Sequence, residues 1–238
     1  MDVVSLLPFN SNHRTDNTTF IVAIICYCGV GVANHTLKNQ ITSANVIIAV
    51  DSGLDYLSKS GIIADYAIGD FDSLSDLTLL DTRVKEKIIT LPTDKDETDL
   101  RVAIDFALKE FPDSTVYEIY TDFSGRIDQQ MGVISQLLYL QQQNRNSIIY
   151  SATQILYLLT PGFHQIKPHK NHQYISFISL SERVMFNYSE GLQYQLNNLS
   201  IALLSETGIS NQIISEYAKI DLNLGIVLCV ETIIESAT

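Results

Sequence analysis

Two acidic clusters carry the chemistry this sequence most clearly offers. They are Gly69-Asp70-Phe71-Asp72-Ser73 and, about two dozen residues on, Asp94-Lys95-Asp96-Glu97-Thr98-Asp99. A glycine turn bearing Asp-x-Asp, followed by carboxylates that open a helix, is one way to build a Mg²⁺ site. Mg²⁺ takes hard oxygen ligands, usually one or two carboxylates with waters and substrate phosphates. Alternate residues of an extended segment point to opposite faces, so Asp70 and Asp72 reach one metal only if the backbone turns there. Gly69 permits that turn. A third element, Ser124-Gly125-Arg126-Ile127-Asp128-Gln129, sets an arginine at another helix start. Arginine grips phosphate oxygens bidentately, and a helix N-terminus adds backbone N–H donors. The three segments together point to chemistry on a polyphosphate.

Each segment alone also has a plainer reading. The first is equally an exposed acidic turn. The second is equally a solvated loop whose acids cap a helix, where the macrodipole favours them. The third is equally a loop with a surface arginine. What joins them is that clustered carboxylates repel, and a bound divalent cation relieves the repulsion. Other signatures are missing. There is no Gly-x-x-x-x-Gly-Lys-Ser/Thr loop and no protein-kinase set. Gly29-Val30-Gly31 lacks the third glycine of a dinucleotide fingerprint. None of the five histidines lies in a zinc-ligand pattern, and His169 and His172 read as loop residues.

The elements that must position these residues alternate in the first part of the chain. Phe20–Cys28 and Val46–Val50 read as buried strands, being short, continuous and β-branched. The second runs into Asp51-Ser52-Gly53, an acid and a turn where open α/β sheets place ligands. Ile88–Leu91 and Val116–Tyr120 read as further strands. Leu100, Ala103, Ile104, Ala107 and Leu108 form a helical stripe, with Asp96 as N-cap and Asp99 at N3. A second helix spans about Ile127 to Gln143, with Met131, Ile134, Leu137 and Leu138 inward.

After about residue 147 the pattern changes to closely spaced β-rich runs: Ile148–Tyr150, Ile155–Leu159, Tyr174–Leu180, Val184–Tyr188, Tyr194–Ile201, Gln212–Lys219 and Gly225–Glu231. Such runs suggest a sandwich or barrel. The expected organisation is an irregular arm at 1–19, an α/β domain at 20–147, Rossmann-like with a mainly parallel sheet, and an all-β sandwich domain at 148–238.

A chain of 238 residues with 46% apolar and 18% charged residues has the composition of a globular protein. Its formal net charge of −12 argues against nucleic acid, whose phosphates select basic surfaces. The three cysteines, Cys26, Cys28 and Cys229, form no metal pattern; they read as reduced thiols in a cytoplasmic protein. The apolar stretch Phe20–Ala33 is too short to span a bilayer, and its polar flank lacks the basic character of a signal peptide. It reads as a buried first strand, with no membrane association.

Taken in order, these elements resemble the thiamine pyrophosphokinase family. The matching residues are Val50-Asp51-Ser52-Gly53, the two acidic clusters, Gly125-Arg126-Ile127-Asp128-Gln129, Leu156-Tyr157-Leu158-Leu159-Thr160-Pro161-Gly162, Gly191-Leu192-Gln193-Tyr194-Gln195-Leu196 and Gly208-Ile209-Ser210-Asn211. The resemblance implies transfer of an intact pyrophosphoryl group from ATP to the hydroxyl of thiamine, with Mg²⁺. It implies an α/β domain followed by a β-sandwich. It also implies a homodimer whose sites lie between the N-terminal domain of one subunit and the C-terminal domain of the other.

By that resemblance Asp70, Asp72 and Asp99 are Mg²⁺ ligands, with Asp96 a further acid. Asp51, Lys95, Arg126, Asp128 and Gln129 are expected to line the nucleotide or substrate. Tyr194 falls where animal members carry a tryptophan that stacks on thiamine, and Ser210 and Asn211 fall in the thiamine-contacting loop. Ser52 and Ser124 replace glycines common in the family, and Thr153-Gln154 stands where an acid is usual. The competing functions are a pterin-alcohol pyrophosphokinase of the same architecture and a thiamine- or nucleotide-binding regulator without turnover.

Overall fold

The computed structural model describes residues 19–26, 35–113, 116–169 and 171–233. The expected N-terminal arm, Cys28 and Gly29-Val30-Gly31 lie outside these residues, apart from Thr19. Two compact units divide the chain, one at 18–152 and one that includes 153–238.

The first unit alternates strand and helix: β1 (Ile21–Ile25), α1 (His35–Thr42), β2 (Val46–Val50), α2 (Gly53–Lys59), β3 (Ala64–Gly69), α3 (Thr78–Arg83), β4 (Val84–Thr90), α4 (Asp99–Glu110), β5 (Val116–Tyr120), α5 (Ile127–Gln142) and β6 (Asn146–Tyr150). The strands lie in the order β4-β3-β2-β1-β5-β6, and every neighbouring pair is parallel. β1, β2 and β5 are buried along their whole length, as expected for continuous apolar runs with both faces covered. β4 is the edge strand. Its Lys85, Glu86 and Lys87 are exposed, which discourages pairing with another chain.

Several expectations need correction here. Ile148–Tyr150 is not part of the β-rich half, because β6 pairs in parallel with β5 from Val116↔Asn146 to Tyr120↔Tyr150. The break between units accordingly falls at 152/153 and not at 147/148. The N-cap of α4 is Thr98, whose side chain accepts from the Arg101 N–H at 3.2 Å; Asp96 stays in the loop and Asp99 is the first helical residue. On α5 the buried positions are Gln136, Leu137 and Leu140, whereas Met131 is 48% exposed. The third sequence-read strand is longer than Ile88–Leu91. β3 and the short helices α1, α2 and α3 went unread, because Asp65 and Tyr66 interrupt the apolar run of β3 and none of the helices carries a long stripe.

The second unit is antiparallel. One sheet runs β7 (Gln154–Leu159), β13 (Val227–Ile233), β9 (His172–Ser179); the other runs β11 (Leu199–Ala202), β10 (Arg183–Glu190), β12 (Ala218–Leu224), β8 (Gly162–Ile166). Their apolar faces meet, with the rings of Phe177 on β9 and Phe186 on β10 at 6.1 Å edge to face. Tyr194 and most of Gln212–Tyr217 are irregular, not strand as expected. Isolated bridges, Leu192↔Ile213 and Ile175↔Asn211, and scattered hydrogen bonds tie these segments to their neighbours.

A buried carboxylate holds the crossover from β8 to β9 against β13. Glu231 is 0% exposed. Its Oε1 accepts from the Tyr157 hydroxyl at 2.9 Å, and its Oε2 lies 3.0 Å from His169 Nδ1 and 3.2 Å from His172 Nδ1. The two histidines read as loop residues are thus partners of a buried acid; His172 opens β9 itself. Burial alone would raise the Glu231 pKa. The bonds from His169, His172 and Tyr157 outweigh it and hold the value at about 2, against 4.5 for a free glutamate. The folded chain therefore binds this proton less readily than the unfolded chain. The stabilisation is complete above about 4.5 and fades as the pH falls towards about 2. Glu231→Gln keeps the shape but loses the charge, and should cost about 1–3 kcal/mol at neutral pH. Denaturation series from neutral pH to pH 3 should show the gap to wild type narrowing as acid is added; a constant gap would contradict an ionised Glu231.

Candidate active site

The acids of the first unit converge because three different strands of one parallel sheet deliver them from the same edge. Asp51 follows the last residue of β2, Asp70 follows the last residue of β3, and the chain leaving β4 returns as α4 with Asp99 in its first turn. Asp51 sits at φ 47° and Phe71 at φ 60°, left-handed conformations that L side chains rarely adopt. Tertiary contacts hold them there. The Asp51 N–H donates to Ile68 O at 3.1 Å, and Asp51 Oδ1 accepts from the Phe71 N–H at 3.2 Å. Residue 69 must be glycine, since any Cβ there would collide with the Asp51 carboxylate. The Phe71 ring is buried and anchors the turn from below. Farther along, Asp55 of α2 accepts from both the N–H and the hydroxyl of Ser75, tying down the far end of the acidic loop.

Carboxylate oxygens of Asp51, Asp70 and Asp99 lie within 4.8 Å of one another, and each residue is half-buried. Burial, together with the charge of Asp99 and a hydrogen bond with it, raises the Asp51 pKa to about 7; the Phe71 N–H and the Asp70 charge modify this in opposite directions. Lys95 answers the repulsion. Its Nζ is 2.8 Å from Asp99 Oδ1, with the lysine side chain 15% exposed. Contact with Asp99 raises the Lys95 pKa, and the charges of Asp70 and Asp51 add to it. An ammonium thus lies against the carboxylates.

The other expected residues are arranged differently. Asp72 is exposed and outside the triad; its backbone N–H donates to Asp70 Oδ1 at 3.2 Å. Asp96 is exposed on the loop before α4. Arg126 precedes α5 in an extended conformation, and its guanidinium grips Asp128 with contacts of 3.1 and 2.5 Å. Both side chains and Gln129 face solvent. In the second unit Tyr194 is 61% exposed and Ser210 is exposed, whereas Asn211 is 1% exposed. The sequence reading missed Asp51 as a member of the acidic triad. The available signal was its place at the end of a fully buried strand.

Family models match both parts of the chain. Residues 37–149 match the thiamin pyrophosphokinase catalytic domain, and 163–227 match the thiamin pyrophosphokinase vitamin B1 binding domain. The chain belongs to the thiamin pyrophosphokinase family. It is 34% identical over 189 residues to thiamine pyrophosphokinase of Bacillus subtilis, covering 78% of this chain and 86% of that protein. A crystal structure of the Bacillus subtilis thiamine pyrophosphokinase superimposes with a TM-score of 0.78 at 26% identity, covering 90% of this chain and 99% of that one. The thiamin pyrophosphokinase of Candida albicans has the same fold at 18% identity, with a TM-score of 0.74 over 91% of this chain and 90% of that one. The acidic triad, Lys95 and Arg126 fall within the matched catalytic region. Tyr194, Ser210 and Asn211 fall within the matched vitamin B1 region.

The raised Asp51 pKa has a direct consequence for stability. The unfolded chain loses this proton near 3.8 and the folded chain only near 7, so the ionised carboxylate becomes progressively destabilising as pH rises across that window. In metal-free protein held with a chelator, Asp51→Asn should raise Tm at pH 8 and change it little at pH 4. Asparagine keeps an acceptor for the Phe71 N–H and tolerates the left-handed backbone. An equal shift at both pH values would refute the electrostatic account.

Proposed function

We propose that this chain transfers the pyrophosphoryl group of ATP to the hydroxyl of thiamine, giving thiamine diphosphate and AMP. The observation that carries this reading is the Asp51–Asp70–Asp99 triad at the carboxyl edge of a parallel sheet, within the region matched by the family's catalytic domain. The match of 163–227 to a vitamin B1 binding domain favours thiamine over a pterin alcohol.

Three converging carboxylate oxygens fit a hard divalent cation. Asp51, Asp70 and Asp99 would hold Mg²⁺, with Asp51 in the place first expected for Asp72. When bound, the metal offsets the negative charge on the transferring phosphates. The chain's own residues do the rest. Lys95, which now lies against Asp99, would turn its charge to the polyphosphate. Open α/β sheets bind ligands where the strand order reverses. Here that point lies between β1 and β5, and Arg126 stands in the loop that leaves β5. In the free protein the Arg126 Nε and Nη2 are paired with Asp128, and the exposed guanidinium would turn to phosphate oxygens when nucleotide binds. The thiamine oxygen forms a bond to the β-phosphorus, the bond from that phosphorus to the oxygen retained by AMP breaks, and the hydroxyl proton is lost. Tyr194 offers an exposed π-face to the thiazolium charge, a contact of about 0.5–2 kcal/mol. Ser210, exposed on the 208–211 segment, would present a hydroxyl. Each site would draw its carboxylates from one subunit and its thiamine contacts from the second unit of the other, in a cytoplasmic homodimer.

The deciding assay incubates the protein with ATP, Mg²⁺ and thiamine. AMP and thiamine diphosphate should appear in equal amounts; ADP as the product, or none, rejects the reading. Asp70→Asn should lower turnover by at least roughly 10²-fold, the scale of one lost electrostatic contact to a transition state. Asp72→Asn should cost less, being outside the triad, and a ranking the other way round would restore Asp72 as the ligand. Sharing of sites is tested by co-refolding an Asp70→Asn chain with one carrying Tyr194→Ala and Asn211→Ala, assayed well below the thiamine KM, where the second parent is impaired. Random pairing should lift activity above the mean of the two parents, since about half the dimers then hold one undamaged site. Confirmed heterodimers without recovery would place each site within a single chain.

A further inference from the structure

Asn211 stands in the segment expected to touch thiamine, yet its side chain faces inward and both lone pairs of its oxygen and one of its two N–H donors are already committed. Its Oδ1 accepts from the Tyr194 N–H at 3.0 Å and from the Gln212 N–H at 2.8 Å. Its Nδ2 donates to Tyr194 O at 2.7 Å. An amide oxygen has two lone pairs, and both are used. The orientation of the amide is fixed by these partners, because the Tyr194 N–H requires an oxygen and the Tyr194 carbonyl requires a donor. The residue is 1% exposed, so a substrate could reach it only by breaking buried hydrogen bonds.

The Asn211 backbone is equally fixed. Its N–H donates to Ile175 O at 3.0 Å, and its carbonyl accepts from the Ile175 N–H at 2.8 Å. The preceding Ser210 N–H donates to Ser176 Oγ at 3.1 Å, and Gly208 O accepts from the Phe177 N–H at 3.0 Å. Residues 208–211 thus lie along β9. The Tyr194 segment has no strand of its own. It is tied instead by Gln193 N–H to Gln212 O at 2.9 Å, by the Leu192↔Ile213 bridge and by the Asn211 amide. The amide clamps both polar groups of the Tyr194 peptide backbone, so it sets where the exposed ring stands.

We infer that Asn211 is a positioning residue for Tyr194: it transmits the rigid line of β9 to the one exposed aromatic ring of the 191–196 loop, and acts on thiamine only through that ring. The inference rests on the proposed function for its substrate and on the hydrogen bonds for its geometry. It assigns the specificity-determining surface to Tyr194 and Ser210, whose side chains are exposed, and removes Asn211 from it.

A double-mutant cycle on the KM for thiamine, at saturating ATP, tests the inference. Tyr194→Ala should raise this KM roughly 2–30-fold. Asn211→Ala should raise it by a similar or smaller factor and leave the KM for ATP unchanged. In the Tyr194→Ala background, Asn211→Ala should add less than about 1.5-fold, because the group it acts through is gone. Effects that multiply would establish direct contact with substrate and overturn the inference. So would a normal thiamine KM in a folded Asn211→Ala protein. If that variant does not fold, Asn211→Asp takes its place. It keeps the acceptor for the Tyr194 N–H and sets a carboxylate oxygen in place of the donor, which repels the Tyr194 carbonyl.

A second readout needs no activity. The chain contains no tryptophan, so Tyr194→Trp introduces a single indole as a fluorescence reporter. Adding Asn211→Ala or Asn211→Asp to that variant should lower the indole anisotropy in the free protein. Unchanged anisotropy rejects the clamp. A wild-type protein that makes no thiamine diphosphate rejects the proposed function and leaves the anisotropy test standing.

Discussion

Mutual repulsion of three half-buried carboxylates is the constraint on which the first unit is organised. Two full charges about 4.8 Å apart repel by roughly 3–4 kcal/mol at an effective dielectric of about 20. That exceeds what a surface ion pair returns, so such a cluster persists only if the scaffold holds it and charge is compensated. The compensation visible in the structure has two parts: the proton that Asp51 retains up to about pH 7, and the Lys95 ammonium at 2.8 Å from Asp99. Both are weaker partners than a divalent cation shared by all three acids. The site is therefore poised to take up positive charge, and a divalent cation held by all three acids, as proposed above, would relieve the repulsion.

Holding the acids in place is the task of the parallel sheet. Asp51 and Asp70 follow directly on the ends of the adjacent strands β2 and β3, so strand spacing sets their separation, whereas Asp99 is brought to them by the start of α4 after the loop at 91–98. Left-handed backbone at Asp51 and Phe71, and a glycine at 69 pressed against the Asp51 carboxylate, are local costs. They are offset by the buried Phe71 ring, by the Asp51–Phe71 hydrogen bond and by the two bonds from Ser75 to Asp55. Deforming that loop would displace Asp70 directly.

The second unit solves a different problem, that of presenting an aromatic ring and a hydroxyl from segments without regular structure. It does so with side chains that bond to backbone. Asn211 fixes Tyr194, Ser176 fixes Ser210, and β9 supports both. β9 in turn is secured at its start by His172 on Glu231. A buried carboxylate is costly when unpaired, so this knot makes the β8–β9 crossover cooperative with β13. The exposed Tyr194 and Ser210 thus rest on a series of side-chain hydrogen bonds that ends on the buried Glu231.

The acidic motifs, the arginine loop, the buried strands at Val46–Val50 and Val116–Tyr120 and the α/β-then-β order were legible in the sequence. Each is a local pattern: residue type, spacing or a continuous apolar run specifies it without reference to distant residues. β3 was missed and β6 was assigned to the wrong half because their neighbours decide them. β3 is a strand although Asp65 and Tyr66 break its run, and β6 joins the parallel sheet because β5 offers it an edge. Which acids converge was also beyond sequence. Asp70 and Asp72 are two residues apart, yet the turn at Phe71 turns only Asp70 towards Asp51 and Asp99, which lie far away along the chain. The same holds for Asn211, named with Ser210 as one motif. Only the tertiary structure separates them, because burial and the partners across β9 and the Tyr194 loop determine which side chain faces solvent and which is spent on the fold.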